Sequence, residues 1–544
     1  MNLKKIMKMV TLIMMLMLFL TGCQKSDDKK PAVITDKSDS ELVANPALSR
    51  SGALVVATDD IDIAFNPLFA STDEEKWVED LVFDGLFFVD KEGKLSSSLA
   101  ESFEKTSDGL EVIVSLKEGI TFHDGTALTH DDILFTYEVL LNEKYNGTYQ
   151  SYVTGLKSVE IDENDRIHFY FNESLIENDR LLTVPILSKS YYAYTLWDSF
   201  EKTMKFPMGT GPFKFETYTQ DESIVLIKYT PHWDDQSKLS GIVLREMSSE
   251  EAKLAFSQGK IDLMKMPLSK SMANDIKELG FGNILAQNGS ALTMIGMNIN
   301  HEALSNEEVR KALLYALNRD QYVIDEWQGY ATVLPLVVTG IEEYKLLENE
   351  IIPYPYDIAK AKQILDEQGW TLHDEQGIRE KNGIQLAFDW LVFSEVDWSY
   401  NLANYAQSQW QKLGIKANIE FVDYETLLAR LRSDDVPDMW NIGWQMSYYT
   451  NPDRLFGSEE DNFTGYVNPE ALELFQIIDQ SQSNFDKESA YQKWHLLQQN
   501  DVPYLPIARL KTVWAYNSRV KNLSLNEFAS WTQSAKSIEV EVLQ

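Results

Sequence analysis

The chain is poor in the residues that carry covalent and metal chemistry. Its 544 residues hold one cysteine, Cys23, so neither an internal disulfide framework nor a cysteine-based metal site is available. Its seven histidines are widely spaced and none falls in HxxxH or HExxH, which argues against a zinc centre. Positive charge is scarce. Lysine and arginine number 49 against 84 acids, a net charge of −35, which disfavours nucleic acid and anionic membrane surfaces as partners. The acids are scattered rather than blocked, as solubility requires. Long apolar runs are missing too. The one candidate, Met9–Leu20, spans about twelve residues, too short to cross a bilayer comfortably.

What is present starts with that short run. Lys4, Lys5 and Lys8 precede it, and Leu20-Thr21-Gly22-Cys23 follows. This is a signal-peptide pattern, and its end resembles the bacterial lipobox. The resemblance implies cleavage before Cys23 and acylation of its sulfur, so residues 1–22 are expected to be a leader and Cys23 a lipid anchor on the outer face of the cell membrane. Residues 23–50 are polar, hold Pro31 and Pro46, and lack apolar periodicity, which predicts a flexible tether.

Beyond residue 50 strand and helix patterns alternate, which predicts an α/β protein of two or three domains. "ALVVATDD" reads as a buried strand, and "EEKWVEDLVFDGLFFVD" as a helix then a strand. "GLEVIVSLKEGITFHDG" reads as two strands around Lys117-Glu118-Gly119. Thr129 with Asp132 and Ser305 with Glu308 look like capping boxes, Asp357 like a helix cap, and Gly369 and Gly414 like helix stops. The His123-Asp124 pair in "FHDG" has no GxSxG or comparable nucleophile motif near it, so it is read as a structural turn.

The blocks "LVVATDD…FNPLF", "FHDG" with its flanks, "MGTGPFKF", "NEEVRKALLYALNRD", "YDIAKAKQILDEQGW" and "DMWNIGWQMSYYTNPD" follow one another across about 400 residues. In this order they resemble the family 5 solute-binding proteins of bacterial peptide and nickel ABC importers. The resemblance implies a periplasmic-binding-protein-like fold of two α/β lobes with a hinge. Lobe I would comprise 51–95, 206–295 and 506–544, with an extra domain inserted at 96–205, and lobe II 296–505. It implies capture of a peptide or other small solute, delivery to permease subunits, no catalysis, no cofactor, and a monomer. Nickel chelate, haem or oligosaccharide are alternative ligands, and peptide sensing is an alternative role. An exported hydrolase is a third class, without a nucleophile or metal cluster to support it.

The resemblance also marks candidate ligand contacts: Gly443, Trp444, Gln445, Met446, Ser447, Tyr448, Tyr449, Tyr424, Arg432, Phe65, Asn66 and Tyr504. In peptide binders the 443–447 segment pairs with ligand backbone as an added strand. Many of them carry aspartate where this chain has Ser447. An amine would then need another acid, with Asp453, Asp423, Asp60 and Asp62 as candidates, or the ligand has no free amine there. Trp440, between Met439 and Ile442, is expected to be core.

Overall fold

Two long strands organise the molecule. In the computed structural model, Gly282–Met297 and Tyr504–Asn517 pair antiparallel at the centre of an eleven-stranded sheet. The described residues are 45–61, 65–90, 94–172, 176–193, 206–234, 237–339, 350–372, 377–446, 451–457, 461–481, 483–525 and 530–543. On one side of the long pair lie Met439–Gln445, Ala387–Phe393 and Lys416–Val422, where Ala387–Phe393 runs parallel to both of its neighbours. On the other lie Leu263–Lys265, Ala53–Thr58, Gly241–Glu246, Ser223–Lys228 and Phe213–Thr219, with Ala53–Thr58 parallel to both neighbours, and the eleventh strand, Ala331–Val333, pairs off this path with Ala508–Leu510. A parallel set therefore sits on each side of the long pair, as α/β lobes require, and on one side antiparallel Ser223–Lys228 and Phe213–Thr219 extend it.

Cores follow the same division. Leu54, Val56, Leu226 and Leu244 belong to one cluster, and Ile295, Trp390, Trp410 and Ile507 to another. A separate four-stranded antiparallel sheet, Ala100–Lys105, Glu111–Leu116, Ile167–Phe171 and Leu156–Ile161, has no core of its own. Its inward residues Val112, Val114, Ile167 and Phe169 join the Leu54 cluster.

The long pair is interrupted twice, by a three-residue bulge and by a one-residue shift between Thr293↔Ala508 and Met294↔Pro506. Its register runs from Gly282↔Asn517 to Asn288↔Lys511 and resumes at Leu292↔Arg509, so Gly289, Ser290 and Ala291 face Leu510 alone. Such a bulge adds local twist. The Arg509 Nε donates to the Gly289 carbonyl at 2.8 Å and holds the bulge shut. A Cβ at Gly289 would stand 2.9 Å from Thr512 Oγ1, so glycine is the residue that fits.

Most of the helix signals act as read. Thr129 and Asp132 form a capping box, Asp357 Oδ1 accepts from Lys360 N at 2.8 Å, and Gly369 and Gly414 take φ of 82° and 78° at their helix ends. Two readings are corrected. The helix Glu307–Tyr315 is capped by Asn306, whose Oδ1 accepts from Glu308 N at 2.8 Å, whereas Ser305 Oγ donates to Glu302 O. Asparagine caps as well as serine and stands one residue closer. After Lys117-Glu118-Gly119 the second strand shrinks to one bridge, Thr121↔Ala127, because the chain turns at Gly125, φ 86°, and enters the capped helix His130–Leu140.

Candidate functional site

The strand Met439–Gln445 is built from "MWNIGWQ", and its periodicity decides which groups face where. Met446 N donates to Ser290 O at 2.9 Å. In an antiparallel ladder alternate residues exchange both bonds with the partner strand. Ile442 and Trp444 therefore bond to the long strand, while the N–H and C=O of Gly443 and Gln445 point the other way. On that side Ala387–Phe393 pairs only through Trp390↔Met439 and Leu391↔Trp440, while it stays paired with Lys416–Val422 as far as Phe393↔Val422 and then enters the helix Asp397–Gln411. Among the described residues no strand pairs along this edge beyond Trp440.

Aromatic side chains surround the open edge. Trp398 would touch a Cβ at Gly443 at 3.9 Å and packs edge-on to Phe393 at 5.4 Å. Phe393 in turn meets Tyr424 edge-on at 5.4 Å, and Tyr424 is 41% exposed. Trp444 is half-buried and carries the Arg454 guanidinium over its ring at 5.5 Å. Gln445 is exposed and its amide donates to the Ser290 hydroxyl, whereas Met446 is buried. Trp440 is fully buried. Ser447, Tyr448 and Tyr449, together with Cys23 and Asp62, lie outside the described residues.

Other candidates fall elsewhere. Arg432 is exposed, at the far end of the helix Tyr424–Leu431. It lines a surface bowl of about 950 Å³ with Asn298, Val436 and Phe463. That bowl adjoins Met297↔Met439, the opposite end of the strand from Gln445. Tyr504 is 2% exposed and packs on Phe456 at 5.6 Å, in the core. Phe65 is buried edge-on against Phe215 and Tyr218, and Asn66 caps the turn Pro67–Phe69 by accepting from Leu68 N at 3.1 Å. The structure does not bring these four to the open edge.

The candidate acids have local work. Asp423 Oδ1 caps its helix by accepting from Thr426 N at 2.7 Å, and bonds from Thr426 hold its carboxyl below the ordinary aspartate range. Asp453 is turned onto Gly457, whose position has no room for a Cβ beside that carboxylate. Asp60 is exposed, and its carbonyl accepts from Thr58 Oγ1 at 3.4 Å.

"FHDG" is a turn whose histidine and aspartate look apart. His123 Nε2 lies 2.9 Å from Gly211 O, and Asp124 Oδ1 accepts from Thr126 N at 2.9 Å. Burial pulls the His123 imidazole down to about 4 from 6.5. Below pH 6.5 the unfolded chain takes a proton that the folded chain refuses, so this contribution to stability is lost as pH falls toward 4. Wild type is expected to lose more stability than His123→Gln between pH 7 and 4, measured by urea unfolding at each pH. Parallel curves would refute the assignment.

Sequence reasoning missed Trp398, Phe393 and Arg454. Trp398 and Phe393 carry ordinary core patterns, and only the parting of the 387–393 strand from the 439–445 strand makes them walls of an edge. Among the described residues no cluster of three histidine, cysteine or acidic groups could hold a metal, and no helix is long and apolar enough to cross a membrane.

Comparison with known proteins agrees with this architecture. The family model "Bacterial extracellular solute-binding proteins, family 5 Middle" matches residues 94–461. The oligopeptide-binding protein AppA of Bacillus subtilis is 27% identical over 512 residues, covering 90% of this chain and 91% of AppA. The structure of B. subtilis AppA in complex with a nonapeptide superposes with a TM-score of 0.67 at 24% identity, over 90% of this chain and 99% of that one. NikZ from Campylobacter jejuni in complex with Ni(L-His) gives 0.71 at 22% identity, over 90% and 99%. With two α/β lobes joined through a bulged strand pair, and a family match across most of its length, the chain belongs to the family 5 bacterial extracellular solute-binding proteins.

Proposed function

We propose that this protein captures oligopeptides in the cleft between its lobes and hands them to the membrane subunits of an ABC importer. The observation that carries this reading is the open main-chain edge at Gly443 and Gln445. An extended peptide can add to such an edge as a further strand, and main-chain bonds hold it whatever its side chains are. Glycine at 443 lets a backbone approach closely, and Trp444, Trp398 and Tyr424 supply apolar surface for side chains. Ser447, Tyr448 and Tyr449 continue the same segment and are assigned to the ligand with them. AppA, a relative across nine-tenths of the chain, is named for oligopeptide binding.

Lobe I is assigned to 51–95, 206–295 and 506–544, the inserted domain to 96–205 and lobe II to 296–505. Division of the core between the 54–244 and 295–507 sets supports this partition. The protein acts as a monomeric binding protein without catalysis, held outside the cell membrane by lipid on Cys23.

Native mass spectrometry of protein purified from cells without refolding tests the ligand class. A spread of added masses that fragment as peptides is expected. A single discrete non-peptide mass would overturn the reading. Cys23→Ala tests the anchor. The variant is expected to leave the membrane fraction, since stable attachment takes two acyl chains or more. Unchanged membrane association would rule the anchor out.

A further inference from the structure

Two guanidinium groups stand beside Trp444 at the open edge. Trp444, Leu292 and Arg509 are in register across three strands, and residues directly opposite one another project from the same face of a sheet. Arg509 thus stands on the Trp444 face, its Nε on the Gly289 carbonyl at 2.8 Å. Arg454 covers the Trp444 ring itself at 5.5 Å. Its Nε is fixed by Asp461 at 2.7 Å, its side chain is 59% exposed, and the other guanidinium nitrogens extend beyond that bond. From Met439 to Gly457 the sequence holds one acid, Asp453, whose carboxylate is turned onto Gly457; Glu459, Glu460 and Asp461 follow it, Asp461 being the partner of Arg454.

From these placements we infer that the end of the ligand lying over Trp444 is a carboxylate, recognised by Arg454, and not an ammonium. This deepens the peptide-binding reading and rests on it. The chemistry is specific. The cation-attracting face of Trp444 is already occupied by a guanidinium, so a ligand ammonium placed there would meet like charge instead of an aromatic face. A carboxylate would meet a planar fork of donors, pre-aimed by Asp461 and by the ring beneath it. Guanidinium and carboxylate match in geometry, and their charge-assisted bonds are about twice as strong as neutral ones. The carboxylate has two sources, the peptide's C-terminus or an acidic side chain.

The test titrates the full-length protein in detergent with pentapeptides, read by calorimetry. Four forms are compared: free termini, N-acetylated, C-amidated, and C-amidated with one glutamate. Wild type is set against Arg454→Gln, an exposed position whose replacement leaves the core intact. C-amidation is expected to weaken binding to wild type by about tenfold, the worth of one charge-assisted bond, and to change binding to Arg454→Gln less than twofold. N-acetylation is expected to change little. Recovery with the glutamate peptide identifies a side-chain carboxylate as the ligand group, and no recovery identifies the C-terminus. If amidation has no effect while acetylation abolishes binding, the carboxylate assignment is overturned and the peptide reading stands. Equal losses on amidation in wild type and variant overturn the role of Arg454. If none of the four binds wild type, the peptide reading itself falls, and this inference with it.

Discussion

Asp262→Ala is expected to lower the stability of the fold by about 3–5 kcal/mol, the usual cost of stripping one partner from a buried ion pair. Asp262 and Arg519 are both fully buried, joined at 2.7 Å and 2.9 Å through the two carboxylate oxygens. Arg50 adds a further bond at 2.6 Å, and Val55 N donates to Oδ2 at 2.9 Å. Removing the carboxylate leaves the Arg519 charge inside the protein without its counter-charge. The same guanidinium donates to the carbonyls of Ser51 and Ala53, so the loss spreads to the strand Ala53–Thr58. Urea unfolding measures the effect. Asp275→Ala, which breaks the exposed Lys253–Asp275 pair, serves as control and is expected to cost less than about 1 kcal/mol. Similar losses in the two variants would mean that the buried triad does not hold this end of the sheet.

Gly443→Pro is expected to weaken peptide binding by at least about tenfold while leaving unfolding of the empty protein nearly unchanged. Proline removes one backbone donor and is tolerated where that donor faces an open sheet edge. The Gly443 N–H faces away from the long strand, so its loss takes no bond from the fold. A ligand strand would lose a main-chain bond and meet the proline ring where the N–H had been. Ile442→Pro is the matched contrast. Its N–H belongs to the ladder with Met294, so that variant is expected to be destabilised directly. Peptide affinity unchanged in Gly443→Pro would show that ligand does not pair with this edge.

Much of the fold was legible because its signals are local. "ALVVATDD" can form little but a buried strand, and Asp357, Thr129, Gly369 and Gly414 mark helix ends through bonds to their own neighbours. The ordered blocks carried the family and the two-lobe architecture. The candidate site was legible only along one segment, Gly443–Met446. What turns that segment into an edge is the place where another strand, fifty residues earlier, stops pairing, and no local pattern in 387–393 announces it. Arg432 and Tyr504 illustrate the same limit from the other side. Each lies near the segment in sequence or in the sheet, yet a helix of eight residues carries Arg432 to the opposite end, and pairing with Gly296 buries Tyr504. Arg454 was hidden because an arginine after Asn-Pro-Asp carries no periodic signal.

The bulge in the long strand pair has a consequence for energetics. Ser290 lies inside it, opposite Leu510, and the same residue receives the bond from Met446 N and the contact from the Gln445 amide. The bulge and the open edge proposed to take the ligand thus share one residue. On the proposed reading, the factor by which ligand shifts the balance of open and closed forms equals the factor by which that balance shifts ligand affinity. On the same reading, a substitution at Ser290 is expected to change affinity and the balance of open and closed forms together.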